Sequence, residues 1–322
     1  MDTFTSLAAI TYPLCLGSNT FGWTSDEDES RSVLDAFVEG GGTFIDTADN
    51  YSWWVDGNSG GESEGVIGRW MRDRGARERV VVATKCGRHP EFAGLSRTSI
   101  HRAADASLER LQTGYIDVLY AHRDDPTVPL EETVAAFDEL RVAGKIRAVG
   151  LSNYSGDRIT EWMRIADENG FARPVALQPH LNLLFRREFE SDLRPVIERF
   201  MLAVVPYFGL ASGFLTGKYR TRSDIDRSPR ASMLEVYYSQ EALRVVDALA
   251  DVASAHGISP ATAALAWLRV QPGVVAPVAS ASRLDQVTGL LESTTVELSS
   301  EELRHLDELS AVLPVEGEKE DA

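Results

Sequence analysis

Eight short runs rich in Val, Ile, Leu and Ala alternate along this chain with segments of helical period, and that alternation restricts the fold more than any other feature. The runs are Leu14-Cys15-Leu16-Gly17, Thr43-Phe44-Ile45-Asp46, Val80-Val81-Val82-Ala83-Thr84-Lys85 and Ile116-Asp117-Val118-Leu119-Tyr120. Ala148-Val149-Gly150-Leu151, Val175-Ala176-Leu177-Gln178, Ala203-Val204-Val205-Pro206 and Val274-Val275-Ala276 follow. Strands joined through helices pair in parallel with right-handed crossovers. Eight such units predict a closed (β/α)8 TIM barrel rather than an open sheet. The open alternative carries a Gly-x-Gly-x-x-Gly turn after its first strand. Here Gly40-Gly41-Gly42 precedes a strand instead.

Helices fit the intervals. Ile100, Ala104, Leu108 and Leu111 share one face, with Gly114 as the expected stop. Leu130, Val134, Phe137 and Leu140 repeat the pattern up to Gly144. Ser259-Pro260 reads as a cap plus first-turn proline, and Ser299-x-x-Glu302 as a capping box for an extra C-terminal helix. Helices are also expected over 28–39, 62–74, 155–169, 187–199 and 239–256. The stretch 208–238 has no clean period and holds Arg220, Arg222, Arg227 and Arg230, so a long loop over one end of the barrel is expected after the seventh strand. Nothing resembles a linker, so residues 1–322 are expected to form a single domain with a frayed acidic tail at 315–322.

Charge narrows the partners. Lys plus Arg number 32 against 49 Asp plus Glu, a net charge of −17. Phosphate backbones and anionic membranes need a basic surface, so no nucleic acid and no membrane partner is expected. The N-terminus lacks the basic start of a signal peptide. Cys15 and Cys86 are too few for a disulfide framework or a zinc site. A cytoplasmic protein with no bound metal is the expectation; the oligomeric state is open.

Barrel active sites lie at the C-terminal ends of the strands. The residues there are Asp46 and Tyr51 after the second strand, Lys85 ending the third, and His122 after the fourth. Ser152 and Asn153 follow the fifth, Gln178 ends the sixth and Tyr207 follows the seventh. Taken singly, an Asp can form a turn, a Tyr anchor a loop, and a His pack in a core. Lys85 ends a run that should be buried; it either emerges into solvent or needs a partner. Together the four make a chemical set. A phenol is a poor acid at neutral pH, a nearby ammonium makes it more acidic, a carboxylate holds the ammonium, and an imidazole can orient a carbonyl. This is apparatus for protonating an oxyanion as hydride reaches its carbon.

The set Asp46, Tyr51, Lys85, His122 resembles the catalytic tetrad of the aldo-keto reductase superfamily. Gly42-Thr43-Phe44-Ile45-Asp46-Thr47-Ala48-x-x-Tyr51, Gly61-Glu62-Ser63-Glu64, Ala83-Thr84-Lys85 and Gly144-Lys145-Ile146-Arg147-x-x-Gly150-x-Ser152-Asn153 agree with it. The segment 210–219, Leu-Ala-Ser-Gly-Phe-Leu-Thr-Gly-Lys-Tyr, resembles the bacterial and potassium-channel-β-like branches. The resemblance spans about residues 12 to 310 and implies a (β/α)8 barrel that binds NADPH extended, with NADH as the alternative. It implies Tyr51 as general acid, Lys85 lowering its pKa, Asp46 pairing with Lys85, and His122 orienting the carbonyl. Ser152, Asn153 and Gln178 would bind the nicotinamide carboxamide, and Tyr207 would stack on the ring. Leu210, Ser212, Gly213, Leu215 and Lys218 would approach the pyrophosphate. Ser280, Ser282, Arg283 and Gln286 would hold the 2′-phosphate end.

Three departures from the family pattern stand out: Ser280 for glycine, Leu290 for an adenine-contacting polar residue, and Phe208-Gly209 for Ser-Pro. Only about eleven residues precede the first strand, so a short barrel plug is expected. Trp23, Trp53, Trp54 and Arg123 lie on loops at the mouth, where they line a pocket for a sugar-like or polycyclic carbonyl or else pack loop bases. The implied activity is reduction of an aldehyde or ketone; a non-catalytic NADP-binding sensor or auxiliary subunit is the alternative. A barrel glycosidase lacks its carboxylate pair, since His122 and Tyr207 stand at two of the strand ends.

Overall fold

Strand parity separates two apolar layers, and this parity builds the fold. The computed structural model describes residues 12–228 and 230–311. Its strands are β1 (Cys15–Gly17), β2 (Phe44–Asp46), β3 (Val81–Cys86), β4 (Ile116–Ala121), β5 (Ile146–Ser152), β6 (Ala176–Gln178), β7 (Ala203–Val204) and β8 (Val278–Ser280). All pair in parallel in the order β7-β6-β5-β4-β3-β2-β1-β8. Val204 bridges Val274, and Val278 N donates to Pro206 O at 2.9 Å, closing the sheet into a (β/α)8 barrel.

Successive strand residues face opposite sides. Cys15, Phe44, Val81, Ala83, Val118, Tyr120, Ala148, Ala176, Val205 and Ala276 fill the barrel interior. Leu16, Ile45, Val82, Leu119, Val149, Leu151, Leu177 and Val204 face the helices. Glycine is required at one interior position: a Cβ on Gly150 would lie 2.3 Å from the Tyr120 ring.

The helices are α1 (Glu27–Glu39), α2 (Glu62–Arg74), α3 (Arg97–Leu111), α4 (Leu130–Val142), α5 (Gly156–Asn169), α6 (Arg194–Phe200), α7 (Arg222–Asp226), α8 (Ala231–Glu235), α9 (Gln240–His256), α10 (Pro260–Arg269), α11 (Val287–Glu292) and α12 (Ser300–Ser310). Ser259 caps α10 ahead of Pro260, and the Ser299–Glu302 capping box starts α12, as their sequences imply. Among the described residues no helix is long and apolar enough to cross a membrane.

Four details differ from the sequence expectation. The eighth strand lies at Val278–Ser280 rather than 274–276, because Pro277 lacks the N–H that a continuous ladder needs and splits the pairing in two. Helix α3 ends on Gln112 in the left-handed conformation (φ 53°), two residues before Gly114. The span 187–199 is a π-helical turn at Phe189–Leu193 running into α6. The stretch 208–238 is not a plain loop: it holds a 3-10 segment at Ala211–Thr216 and the short α7 and α8. The expected short plug and the tail at 315–322 lie outside the described residues.

At the barrel's lower rim, Asp117 ties three strands. Its Oδ2 accepts from Arg77 at 2.7 Å and Val82 N at 2.9 Å, and its Oδ1 from Arg147 at 3.0 Å. The Tyr115 ring lies between those two guanidiniums, 3.8 and 3.7 Å from its centroid. Asp117→Ala leaves the Val82 N–H without its acceptor and takes one ion-pair partner from each arginine, and is expected to cost about 2–3 kcal/mol and lower Tm by several degrees. Thermal melts check this, and turnover per folded molecule should stay unchanged.

Candidate active site

The inward parity that fills the barrel with apolar side chains delivers polar ones at its upper end. Two residues beyond Phe44, Ala83, Tyr120 and Ala176 stand Asp46, Lys85, His122 and Gln178. Ser152 is two beyond Gly150, and Tyr207 two beyond Val205. Tyr51 and Asn153 come instead from the loops after β2 and β5.

Lys85 is the hub. Its Nζ donates to Asp46 Oδ2 at 2.6 Å, Thr47 O at 2.8 Å and Tyr51 Oη at 2.9 Å. An ammonium has three hydrogens, so all are used. The Lys85 and Asp46 side chains are almost wholly buried, 2% and 1% exposed, which excludes emergence of this lysine into solvent. Burial acts to lower the Lys85 pKa, but Asp46 and Tyr51 outweigh it and the net displacement is upward. Lys85 therefore stays charged. The remaining Asp46 oxygen accepts from Gln178 Nε2 at 2.8 Å.

Tyr51 accepts from Lys85, so its own proton is free to point elsewhere. Lys85 pulls its pKa down as expected, but burial outweighs that pull and the net displacement is upward. At neutral pH the group is a phenol that carries its proton. The Tyr51 ring lies edge-on to His122, centroids 6.5 Å apart. Burial, then the charges of Lys85 and Arg88, push the His122 pKa well below its ordinary value, so this imidazole is neutral. Its Nδ1 is buried without a hydrogen-bond partner.

Behind the loop that carries Tyr51, α2 is fastened to β3 and α3. Glu64 on α2 accepts from Thr84 Oγ1 at 2.5 Å and Arg110 Nε at 2.6 Å. Gly61 sits at φ 82° with Arg110 against it; a Cβ there would lie 2.2 Å from Arg110 Nε.

Beside this centre, Ser152 Oγ donates to Gln178 O at 2.8 Å, and Asn153 Nδ2 to His122 O at 3.0 Å. Tyr207 Oη donates to Asn153 Oδ1 at 2.7 Å. One Gln178 Nε2 hydrogen is used on Asp46, which fixes the orientation of the amide. Farther along, Ala211, Ser212 and Gly213 adopt left-handed φ angles of 49°, 56° and 97°, and Ser212 Oγ is buried without a partner. The Lys218 Nζ lies 3.7 Å from where a Gly213 Cβ would be, so the lysine reaches back over this turn. Leu210 precedes the turn, and the Leu215 side chain is fully buried in the outer core. An orphaned hydroxyl and a cation on a left-handed, glycine-containing turn fit a pyrophosphate.

After β8, Ser280 Oγ donates to Asn19 Oδ1 at 2.8 Å, and Gln286 Oε1 accepts from Ser282 N at 2.8 Å. Arg283 is exposed and paired with Asp285 at 3.1 Å. The structure thus pairs Ser282 with Gln286 and Ser280 with Asn19, with Arg283 exposed on the rim.

Of the mouth residues, Trp54 touches both Tyr51 (centroids 6.4 Å) and Trp23 (5.6 Å), whereas Trp53 is 48% exposed. Arg123 is exposed beside His122, and the neighbouring Asp124 is bound to Arg158 at 2.8 Å. Two site residues escape the sequence reading. Asn19 follows β1 and could have been found by the strand-end rule. Arg230, whose guanidinium lies 5.6 Å over the Trp23 ring with its pKa lowered by burial, sits on a segment without period and gives no such signal.

The chain is 34% identical over 288 residues to a probable voltage-gated potassium channel subunit beta of Oryza sativa subsp. japonica, covering 86% of this chain and 85% of the relative. It is 32% identical to aldo-keto reductase AFTS1 of Alternaria alternata, covering 92% and 86% of the two chains. Protein tas of Escherichia coli (strain K12) is 31% identical, covering 93% and 94%. The model of the Aldo/keto reductase family matches residues 13–311, so this barrel belongs to the aldo/keto reductase family.

Proposed function

We propose that the protein reduces an aldehyde or ketone to the alcohol using NADPH, with Tyr51 as the general acid. The observation that supports this most strongly is the Lys85 ammonium, locked between Asp46 at 2.6 Å and Tyr51 at 2.9 Å. When bound, the nicotinamide supplies hydride to the carbonyl carbon. Ser152, Asn153 and Gln178 would hold its carboxamide, with Tyr207 against the ring. Asn153 would exchange its Tyr207 hydroxyl contact to do so. Leu210, Ser212, Gly213, Leu215 and Lys218 would cradle the pyrophosphate, Leu215 through its backbone only.

The neutral His122 orients the carbonyl oxygen toward the Tyr51 hydroxyl. Tyr51 gives that oxygen its proton as negative charge builds there, and Lys85 stabilises the phenolate that remains. A proton from solvent then restores the phenol. Asp46 holds the ammonium charged and in place throughout. Trp23 and Trp54 would wall the substrate side, Trp53 and Arg123 its rim, against a small-molecule carbonyl in the cytoplasm.

Turnover of NADPH with a panel of aldehydes and ketones tests this reading. Oxidation of cofactor matched by alcohol formation is expected; binding with no turnover on any carbonyl would favour the auxiliary-subunit alternative. Specificity has its own test. The exposed Arg283–Asp285 pair is worth little by itself, so a 2′-phosphate can displace Asp285. NADPH should quench more strongly than NADH at equal concentration, and Arg283→Ala should narrow the gap by about tenfold. Equal affinities in the parent protein would remove this role from Arg283.

A further inference from the structure

Three aromatic rings stand in a row at the edge of the mouth. Phe185 and His180 have centroids 3.9 Å apart and planes 5° from parallel. His180 and Tyr207 follow at 5.3 Å and 26°. The last two residues are cross-strand neighbours beyond β6 and β7, since Tyr207 N donates to Pro179 O at 3.0 Å and the pair forms a parallel bridge. The plane of His180 therefore limits the tilt open to Tyr207.

His180 is itself held from the segment that crosses the mouth. The Tyr237 hydroxyl, just after α8, lies 2.7 Å from His180 Nε2. Asn182 Nδ2 approaches the same nitrogen at 3.3 Å. The Asn182 amide is oriented by Leu184 N donating to its Oδ1 and by its Nδ2 donating to Phe208 O. The Tyr237 hydroxyl and His180 Nε2 share one hydrogen bond, its direction set by the His180 tautomer. Tyr237 is buried against Phe214 of the segment Ala211–Thr216, and Arg230, in the same stretch 208–238, lies 5.6 Å over the Trp23 ring.

We propose that His180 is a positioning residue: it sets the ring plane of Tyr207 and, through Tyr237, couples that plane to the segment 208–238. The inference rests on the reading that Tyr207 stacks on the nicotinamide. A change in the Tyr207 plane moves the hydride donor relative to the carbonyl, and hydride transfer is steeply sensitive to such displacement.

A double-mutant cycle tests it, using single-turnover hydride transfer from NADPH to 4-nitrobenzaldehyde, with NADPH affinity and Tm measured alongside. His180→Ala and Tyr237→Phe should each slow the transfer by about tenfold in the parent protein, and neither should slow it further in a Tyr207→Ala background. His180→Phe keeps a stacked plate but loses the hydrogen bond to Tyr237; it should match Tyr237→Phe, and combining the two should add nothing. Equal slowing with and without Tyr207, or no slowing in either background, overturns the positioning role while leaving the cofactor placement standing. If Tyr207→Ala alone alters neither NADPH affinity nor transfer, both the placement and the positioning role fall.

Discussion

Tyr51→Phe is expected to lower carbonyl reduction by roughly 10²–10⁴-fold while leaving NADPH binding within a few-fold of the parent protein. Only the hydroxyl is removed. The ring keeps its edge contacts with Trp54 and His122, so the substrate side of the pocket is preserved. The groups placed on the carboxamide and the pyrophosphate are untouched. What disappears is the transferable proton: Lys85 spends its three hydrogens on Asp46, Thr47 and Tyr51, and the neutral His122 keeps an N–H that can orient the carbonyl but is a weaker acid than a phenol. Steady-state turnover and a fluorescence titration on the same preparation separate the two effects. Undiminished turnover would end the general-acid assignment.

Lys85→Met should fail in two measurable ways. The first is stability. Asp46 would keep its Gln178 hydrogen bond but lose the ammonium, leaving a carboxylate buried and unpaired at a cost of about 3–5 kcal/mol. In the parent protein the folded Lys85 pKa lies above the ordinary lysine value. The stabilisation from this pair is therefore fully present below the ordinary lysine pKa and is lost only as pH rises through the higher folded value. The second is the pH profile. Reduction needs the phenol, so it declines as pH rises through the Tyr51 pKa. Lys85 lowers that pKa and Asp46 raises it, so removing the ammonium moves the alkaline limb upward even as the rate falls. An alkaline limb that stays in place or moves down would contradict the Lys85–Tyr51 coupling.

Much of this was readable because strand parity and strand ends are local properties. Val81, Ala83 and Lys85 alternate inward on β3, and the same step of two takes Phe44 to Asp46 and Tyr120 to His122. Caps such as Ser259 before Pro260 also act within one turn. What the sequence hides depends on distant partners. The net direction of the Tyr51 shift is a balance between burial and one ammonium, and burial is a property of the whole mouth. His180 acquires its role from Phe185, Tyr207 and Tyr237, three segments at once. The eighth strand starts at Val278, beyond the Val274 bridge, because Pro277, unremarkable in a β-rich run, removes a single donor.

The most direct test of the central claim is a crystal structure of the protein grown with NADP⁺. The carboxamide is expected on Ser152, Asn153 and Gln178, the nicotinamide face on Tyr207, and the C4 atom opposite the Tyr51 hydroxyl while that hydroxyl still bonds Lys85. A dinucleotide bound away from this row, or a Tyr51 hydroxyl turned from the lysine once it binds, would contradict that claim.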